Sequence, residues 1–183
     1  MIRIDVVDNH GQFTHLEHRL LRDLDGVETE LIDNSTPPEE IEADGLVLSG
    51  GPSREETGNS AAYLDLDIPV LGICLGHQLI AEELGGTVES GDYGGYAVVE
   101  VTILDEEDPL VGSLAPSIRT WASHADEVTE VPQGFTRTAE SAVCDVEAMS
   151  DTERDLYGVQ WHPEVAHTEG GEELFANFRD RCE

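Results

Sequence analysis

The sharpest chemical signal in the chain is five residues long. Gly72-Ile73-Cys74-Leu75-Gly76 sets a cysteine between glycines two positions before and two positions after it. The apolar run ahead of it reads as a strand and the run behind it as a helix, so the chain must turn tightly at the cysteine. Glycine on either side lets neighbouring backbone pass with no Cβ in the way. The central side chain is then thrust out above the sheet, the logic of the Gly-x-Ser-x-Gly nucleophile elbow. A helix N-terminus next to the sulfur favours a thiolate, which is the nucleophilic form. The plainer alternative is a buried cysteine ending a strand; the paired glycines favour the nucleophile.

A nucleophile of this kind needs a base. Trp161-His162-Pro163-Glu164 follows another strand-like run. Pro163 pushes His162 towards extended backbone, where residues i and i+2 lie on one side. His162 and Glu164 can therefore point together, the imidazole taking the thiol proton and the carboxylate orienting the ring. With seven His and 40 Asp+Glu in the chain, a His-x-Glu pair alone means little. Its weight comes from Cys74. Ser49-Gly50-Gly51-Pro52 ends a third strand-like run, where glycine lets backbone N–H groups approach an oxyanion. The N–H of Leu75, just after the nucleophile, is the natural second donor. A simple tight turn accounts for the Gly-Gly pair equally well.

These residues need a scaffold, and the hydrophobic pattern supplies one. Ile2–Val7 reads as a buried strand, followed by a helix over Gln12–Leu24 with Phe13, Leu16, Leu20, Leu21 and Leu24 on one face. Val27–Ile32 is a second strand, and Pro37-Pro38 opens a short helix. Gly45–Leu48 and Ile68–Ile73 are further strands, and Leu75–Leu84 is a helix closed by Gly85-Gly86. Strands spaced by helices imply a mostly parallel sheet covered on both faces, an α/β fold of flavodoxin-like type. Beyond Gly86 the chain turns β-rich, with short strands expected over Tyr96–Leu104, Ile118–Ala122, Phe135–Ala139, Val143–Met149 and Leu156–Trp161. A helix over Glu172–Arg181 closes the chain. No repeat or linker divides it, so residues 1–183 are expected to form one domain.

Charge excludes several partners. The chain has 40 Asp+Glu against nine basic residues, all Arg, for a net charge of −31. That sign is wrong for neutralising nucleic-acid phosphates or anionic lipid. Leu, Ile, Val and Phe make up about a quarter of the residues, above the roughly one-fifth below which acidic chains stay disordered. A folded domain with a very acidic surface and no lysine suggests the cytoplasm of a salt-in halophile, since about 1 M salt shortens the Debye length to roughly 3 Å. No apolar leader or membrane-length run is visible. Three cysteines, Cys74, Cys144 and Cys182, have neither metal-ligand spacing nor a disulfide pattern.

Three segments together carry a family resemblance. Gly-Ile-Cys-Leu-Gly-His-Gln at 72–78, Leu-Ser-Gly-Gly-Pro at 48–52 and Gln-Trp-His-Pro-Glu-Val at 160–165 resemble the class I, triad-type glutamine amidotransferases, over essentially the whole chain. Val-Val-Asp-Asn-His-Gly-Gln-Phe-Thr-His-Leu at 6–16 and His-Pro-Glu-Val-Ala-His-Thr-Glu-Gly-Gly at 162–171 are similar to the branch serving two-chain archaeal GMP synthases. Trp121-Ala-Ser-His-Ala-Asp at 121–126 is similar too, with Ala125 where that branch has Gly, and Trp161 stands where Phe is common.

The resemblance implies that Cys74 attacks the side-chain amide of glutamine, with His162 and Glu164 completing the triad. It implies an oxyanion hole from the backbone N–H groups of Gly51 and Leu75, and a grip on glutamine by Gln78 and the backbone of Ser123 and His124. No metal or cofactor is implied in this chain. ATP and magnesium belong on a partner, an ATP pyrophosphatase subunit that binds XMP, because without lysine there can be no phosphate loop of the Gly-x-x-x-x-Gly-Lys-Ser/Thr type. Ammonia must reach that subunit along a protected path, and the isolated chain is expected to be a poor glutaminase until the partner docks. Two alternatives stay open: an amidotransferase subunit of anthranilate or aminodeoxychorismate synthase, and a catalytically silent regulatory member. His77 is expected to pack or bond locally, His124 and Asp126 to be candidates for touching a partner, and Cys144 and Cys182 to be a core filler and a tail residue.

Overall fold

The computed structural model spans residues 1–183 and describes every side chain except those of 92–96 and 124. The strands are β1 (Ile2–Asp8), β2 (Val27–Glu28), β3 (Leu31–Asp33), β4 (Gly45–Leu48), β5 (Val70–Ile73), β6 (Thr87–Ile103), β7 (Ser117–Glu130), β8 (Thr136–Ser141), β9 (Ala148–Asp151) and β10 (Leu156–Val159). The helices are α1 (Thr14–Arg22), α2 (Leu75–Glu83) and α3 (Gly171–Arg181), with single 3-10 turns between several strands. All ten strands belong to one sheet. Its order is β2-β1-β4-β5-β10-β9-β8-β6-β7, with β3 also pairing β1. From β2 to β10 the pairing is parallel; β10–β9, β9–β8, β8–β6 and β6–β7 are antiparallel.

Side-chain alternation explains why helices cover both faces of the parallel half. Ile4, Val6, Val47, Leu71 and Ile73 pack with Leu21 of α1 and Leu174, Phe175 and Phe178 of α3. Val7, Leu46, Leu48 and Val70 point the other way, onto Leu79, Ile80 and Ala81 of α2. The inward triplet of the closing helix is the one its periodicity predicts. With both faces sealed, the C-terminal ends of β1, β4, β5 and β10 are where Asn9, Ser49, Cys74 and Gln160 emerge.

Three expectations are corrected. The strand over Val27–Ile32 is split into β2 and β3, pairing opposite ends of β1. The cause is Asp5, whose carboxylate captures the Glu30 N–H at 3.0 Å and removes it from the ladder. The strand over Val143–Met149 begins only at Ala148. Ahead of it, Ser141 Oγ accepts the N–H groups of Val143 and Cys144 at 3.2 and 3.1 Å, which forms a turn. On α1 the buried residues are Thr14, Glu17 and Leu21, not the full leucine stripe. The first half of α1 faces the polar end of the sheet, and only its second half lies over the apolar core.

Candidate active site

Cys74 sits where β5 meets α2, with φ 52° and ψ −101°. A positive φ at a residue with a Cβ costs on the order of 1–3 kcal/mol and persists only where the surroundings enforce it. Here they do. The Cys74 N–H is held by Val159 O of β10 at 2.9 Å, and its carbonyl accepts the Gln78 N–H at 3.1 Å. A Cβ at Gly72 would lie 2.5 Å from the Gly76 carbonyl, and one at Gly76 would strike the Leu48 carbonyl. Both glycines are therefore required to bring α2 down onto β4 and β5.

The structure brings His162 and Glu164 to this elbow. His162 Nδ1 lies 2.6 Å from Glu164 Oε1, with both side chains buried. A carboxylate only accepts, so Nδ1 carries the proton and the ring's other nitrogen serves the hydrogen bond with Cys74. Burial of the ring opposes protonation, but its hydrogen bonds to Cys74 and Glu164 and their negative charge outweigh this and push His162 up to about 11. The site therefore favours an imidazolium between two anions. Phe13 meets the imidazole edge-on at 5.3 Å and Trp121 lies 5.7 Å from it, fixing the ring plane. Thr168 Oγ donates to His162 O at 2.7 Å and accepts the Trp121 N–H at 2.9 Å, while the His162 N–H donates to Trp121 O at 3.1 Å.

The Gly50–Gly51 peptide is oriented from beneath. Ser49 Oγ accepts the Asn9 N–H at 2.9 Å and donates to Gly50 O at 2.9 Å. Asn9 Nδ2 donates to Ser49 O at 3.2 Å, and Asn9 Oδ1 accepts from Asn34 Nδ2 and Ser60 Oγ at 3.2 and 2.9 Å. Asn9 and Ser49 are both fully buried. In a trans peptide the N–H opposes the carbonyl, so pinning Gly50 O turns the Gly51 N–H the other way. Gly51 lies against Asn9 O too closely to carry a side chain. The Leu75 N–H opens α2, where the first turn has no intrahelical acceptor.

Two cavities meet at Cys74. The larger, about 740 Å³, is lined by Gly51, Arg54, Cys74, Gln78, Ser123 and Asp126 among others. The smaller, about 360 Å³, lies on the side of Phe13, Glu17, Gly50, His162 and Glu164. This arrangement can acylate and deacylate a thiol: a nucleophile at an elbow, an imidazole–carboxylate pair, two aimed N–H groups and a pocket for the acyl group.

Comparison with known proteins agrees with that chemistry. A family model described as glutamine amidotransferase class-I matches residues 5–182. The chain belongs to this family. It is 75% identical over 182 residues to a Natronomonas pharaonis protein named as the glutamine-hydrolyzing subunit of GMP synthase, covering all of this chain and 98% of that one. The protein of the same name from Halobacterium salinarum is 70% identical over the full length of both. A crystal structure from Thermoplasma acidophilum, of a chain provisionally described as the corresponding GMP synthase subunit, superposes with a TM-score of 0.93 at 38% identity. That alignment covers all of this chain and 94% of the other.

As an amidotransferase site, the cavity places the remaining expected residues unevenly. Gln78 lines the larger cavity, but its Nε2 is committed to Asp126 O at 2.8 Å and Gln160 Oε1 at 3.2 Å. Its Oε1 accepts from Arg54 Nη1 at 3.4 Å. Ser123 offers its carbonyl to the Cys74 thiol at 3.6 Å. The expected contact of His124 falls outside the described side chains. His77 is fully buried and bonds Val146 O at 3.2 Å, across 69 residues of sequence and not locally. Cys144 is a buried filler, while Cys182 is half-buried, packing against Gly45 and bonding Phe178 O at 3.4 Å.

Sequence reasoning missed several neighbours. Gln160 Nε2 donates to Cys74 Sγ at 3.6 Å. Arg54 pairs with Glu82 at 2.8 Å and Asp126 at 3.2 Å on the cavity wall. Glu17 is 1% exposed beside Glu164 and His162. The alternating strand pattern puts Gln160 near Cys74 only once β5 and β10 are known to be neighbours. Nothing in the pattern marks Glu17 among the acids.

Proposed function

We propose that this chain is the glutamine-hydrolysing subunit of a two-chain GMP synthase. The observation that carries the reading is the Cys74–His162–Glu164 constellation, in a chain similar over its full length to proteins named for that activity. In this reading glutamine enters the larger cavity with its side-chain amide at Cys74. The sulfur attacks the amide carbon while the Gly51 and Leu75 N–H groups hold the developing oxyanion. His162 gives its proton to the departing nitrogen, and ammonia leaves behind a γ-glutamyl thioester. Water, deprotonated by His162, then opens the thioester to release glutamate and the thiol. Glu164 holds the imidazole in the tautomer both steps require.

Gln78 and the backbone of Ser123 and His124 form the wall that receives the amino-acid end of glutamine. With Gln78 already bonded to Asp126 and Gln160, it shapes that wall as well as touching the ligand. The ammonia passes to an ATP pyrophosphatase subunit, which uses ATP and magnesium to activate XMP and yields GMP. The reaction belongs in the cytoplasm; among the described residues no helix is long and apolar enough to cross a membrane.

The test is GMP formation by this chain with its cognate partner subunit in molar KCl. Glutamine is expected to support GMP synthesis in the wild-type complex. Cys74→Ala should remove that activity and leave ammonia-dependent synthesis intact. Glutamine-dependent synthesis that survives Cys74→Ala, or a wild-type complex that forms no GMP from glutamine, refutes the assignment.

A further inference from the structure

Glu17 is a buried acid at the edge of the site for which the chemistry above has no task. It projects from the first half of α1 into the smaller cavity, alongside His162, Glu164 and Gly50. One of its oxygens meets the Gly50 backbone N–H, which donates to it. Its Oε2 is buried and makes no hydrogen bond among the described residues. The same is true of Glu164 Oε2, the oxygen that His162 does not use. Two orphaned carboxyl oxygens thus face one small space, whose lining holds no arginine and, as basic groups, only the imidazoles of His10 and His162.

Two carboxylates in such a place cannot both stay ionised at low cost. Burial, and then the charge of Glu164, pushes Glu17 well above the usual carboxylate range. Glu164 is the one stabilised as an anion, because the protonated imidazole lies against it. A buried carboxylate oxygen left unpaired is costly, and a neutral acid is the donor that relieves it most strongly.

We propose that Glu17 is a positioning residue: it stays a neutral acid and donates its Oε2 proton to Oε2 of Glu164, directly or through one water in the cavity. This extends Cys74–His162–Glu164 by a fourth member and rests on the glutaminase reading above. The bond holds Glu164 in the orientation that serves Nδ1. It also keeps a second negative charge away from the oxyanion that forms at Cys74. Through Gly50 the same carboxyl anchors the residue before the oxyanion donor Gly51.

The proposal separates donors from mere volume. Glu17→Gln keeps a neutral side chain with a donor, while Glu17→Met keeps the length and loses the donor; Glu17→Leu replaces the methionine variant should that one fail to fold. Each is assayed for glutamine-dependent GMP synthesis with the partner subunit in molar KCl. Each is also assayed alone for alkylation of Cys74 by iodoacetamide, read on the Cys74 peptide by mass spectrometry. Partners that orient a reacting group through another residue are worth about 10–100-fold, so Glu17→Met should lower kcat and the alkylation rate by at least about tenfold. KM for glutamine should stay within about twofold, because Glu17 does not touch it, and Glu17→Gln should recover at least about a third of wild-type kcat. Equal kcat and equal alkylation for the glutamine and methionine variants, or a change confined to KM, overturns the proposal. Should the wild-type complex fail to use glutamine, the functional reading falls, while the ratio of alkylation rates still decides what Glu17 does for the Cys–His–Glu unit.

Discussion

Glu147 offers the most quantitative test of how this protein handles buried charge. Its side chain is fully buried, with Oε1 accepting from Ser141 Oγ at 2.7 Å and Oε2 unpaired among the described residues. Burial, only partly offset by Ser141 and reinforced by Glu127, pushes its carboxyl from an ordinary 4.5 up to about 7. A raised acid is protonated more readily in the folded state, so it does no harm at low pH and costs stability once the folded state must ionise. The cost builds from pH 4.5 to about pH 7 and is constant above. At about 1.36 kcal/mol per pH unit, the full span amounts to about 3 kcal/mol. At about pH 5 the same arithmetic leaves under about 1 kcal/mol.

Glu147→Gln removes the titration and keeps an acceptor for Ser141. The variant should therefore be more stable than wild type by about 3 kcal/mol at about pH 8 and by under about 1 kcal/mol at about pH 5. Urea unfolding in about 3 M KCl is the suitable assay, because a neutral denaturant leaves ionic screening constant. Comparing the two proteins at each pH cancels every other titrating group. A stability difference that is the same at both pH values would refute the reasoning. The position bears on the site as well. The Glu147 carbonyl accepts the Gln160 N–H at 2.7 Å, and Gln160 is the residue that donates to Cys74 Sγ.

Three further outcomes are expected. Ser49→Ala strips the Gly50–Gly51 peptide of its anchor and leaves the Asn9 N–H buried without a partner, so stability should fall by about 1–3 kcal/mol. Steady-state kinetics should show a lower kcat at nearly unchanged KM for glutamine, with Ser49→Thr restoring most of it. Gln160→Leu deletes the donor to Cys74 and the acceptor that fixes Gln78; Cys74 alkylation should slow about tenfold, the scale of a lost supporting hydrogen bond. Finally, the melting temperature should climb steadily from about 0.2 to about 3 M KCl as screening shortens to a few ångström. Equal melting temperatures at both ends would contradict the link between the −31 charge and salt.

How much of this was legible in the sequence depends on whether the information was local. The elbow was, because Gly72 and Gly76 are demanded by contacts within one strand–turn–helix unit. The proximity of His162 and Glu164 was, because an extended segment puts i and i+2 on one side. The α1 face was misjudged because leucine periodicity reports an apolar core, and half of this helix faces a polar cavity. Thr14 and Glu17 took the inward positions there. Hydrogen bonds that join residues 40 or 86 positions apart, such as Asn9 to Ser49 and Gln160 to Cys74, depend on strand order. A periodicity argument does not supply strand order, so those groups stayed invisible.

The acids illustrate the same limit, and location relative to water resolves it. Among the described residues six have their side chains buried: Asp5, Glu17, Asp108, Glu147, Asp151 and Glu164. Four have evident compensation. Asp5 and Asp151 pair with Arg3 and Arg154, Asp108 receives the N–H groups of Leu110 and Val111, and Glu164 holds His162. Glu17 and Glu147 have no cation of their own and each keeps an unpaired oxygen. Both are pushed upward by burial first and by a neighbouring carboxyl after it. One lies beside the triad and the other supports Gln160 behind it. A surface full of carboxylates needs only water and salt, whereas two uncompensated acids next to one reactive cysteine need a reason. For Glu17 that reason is a proton it can lend to Glu164; a site built only for solubility would have no use for it there.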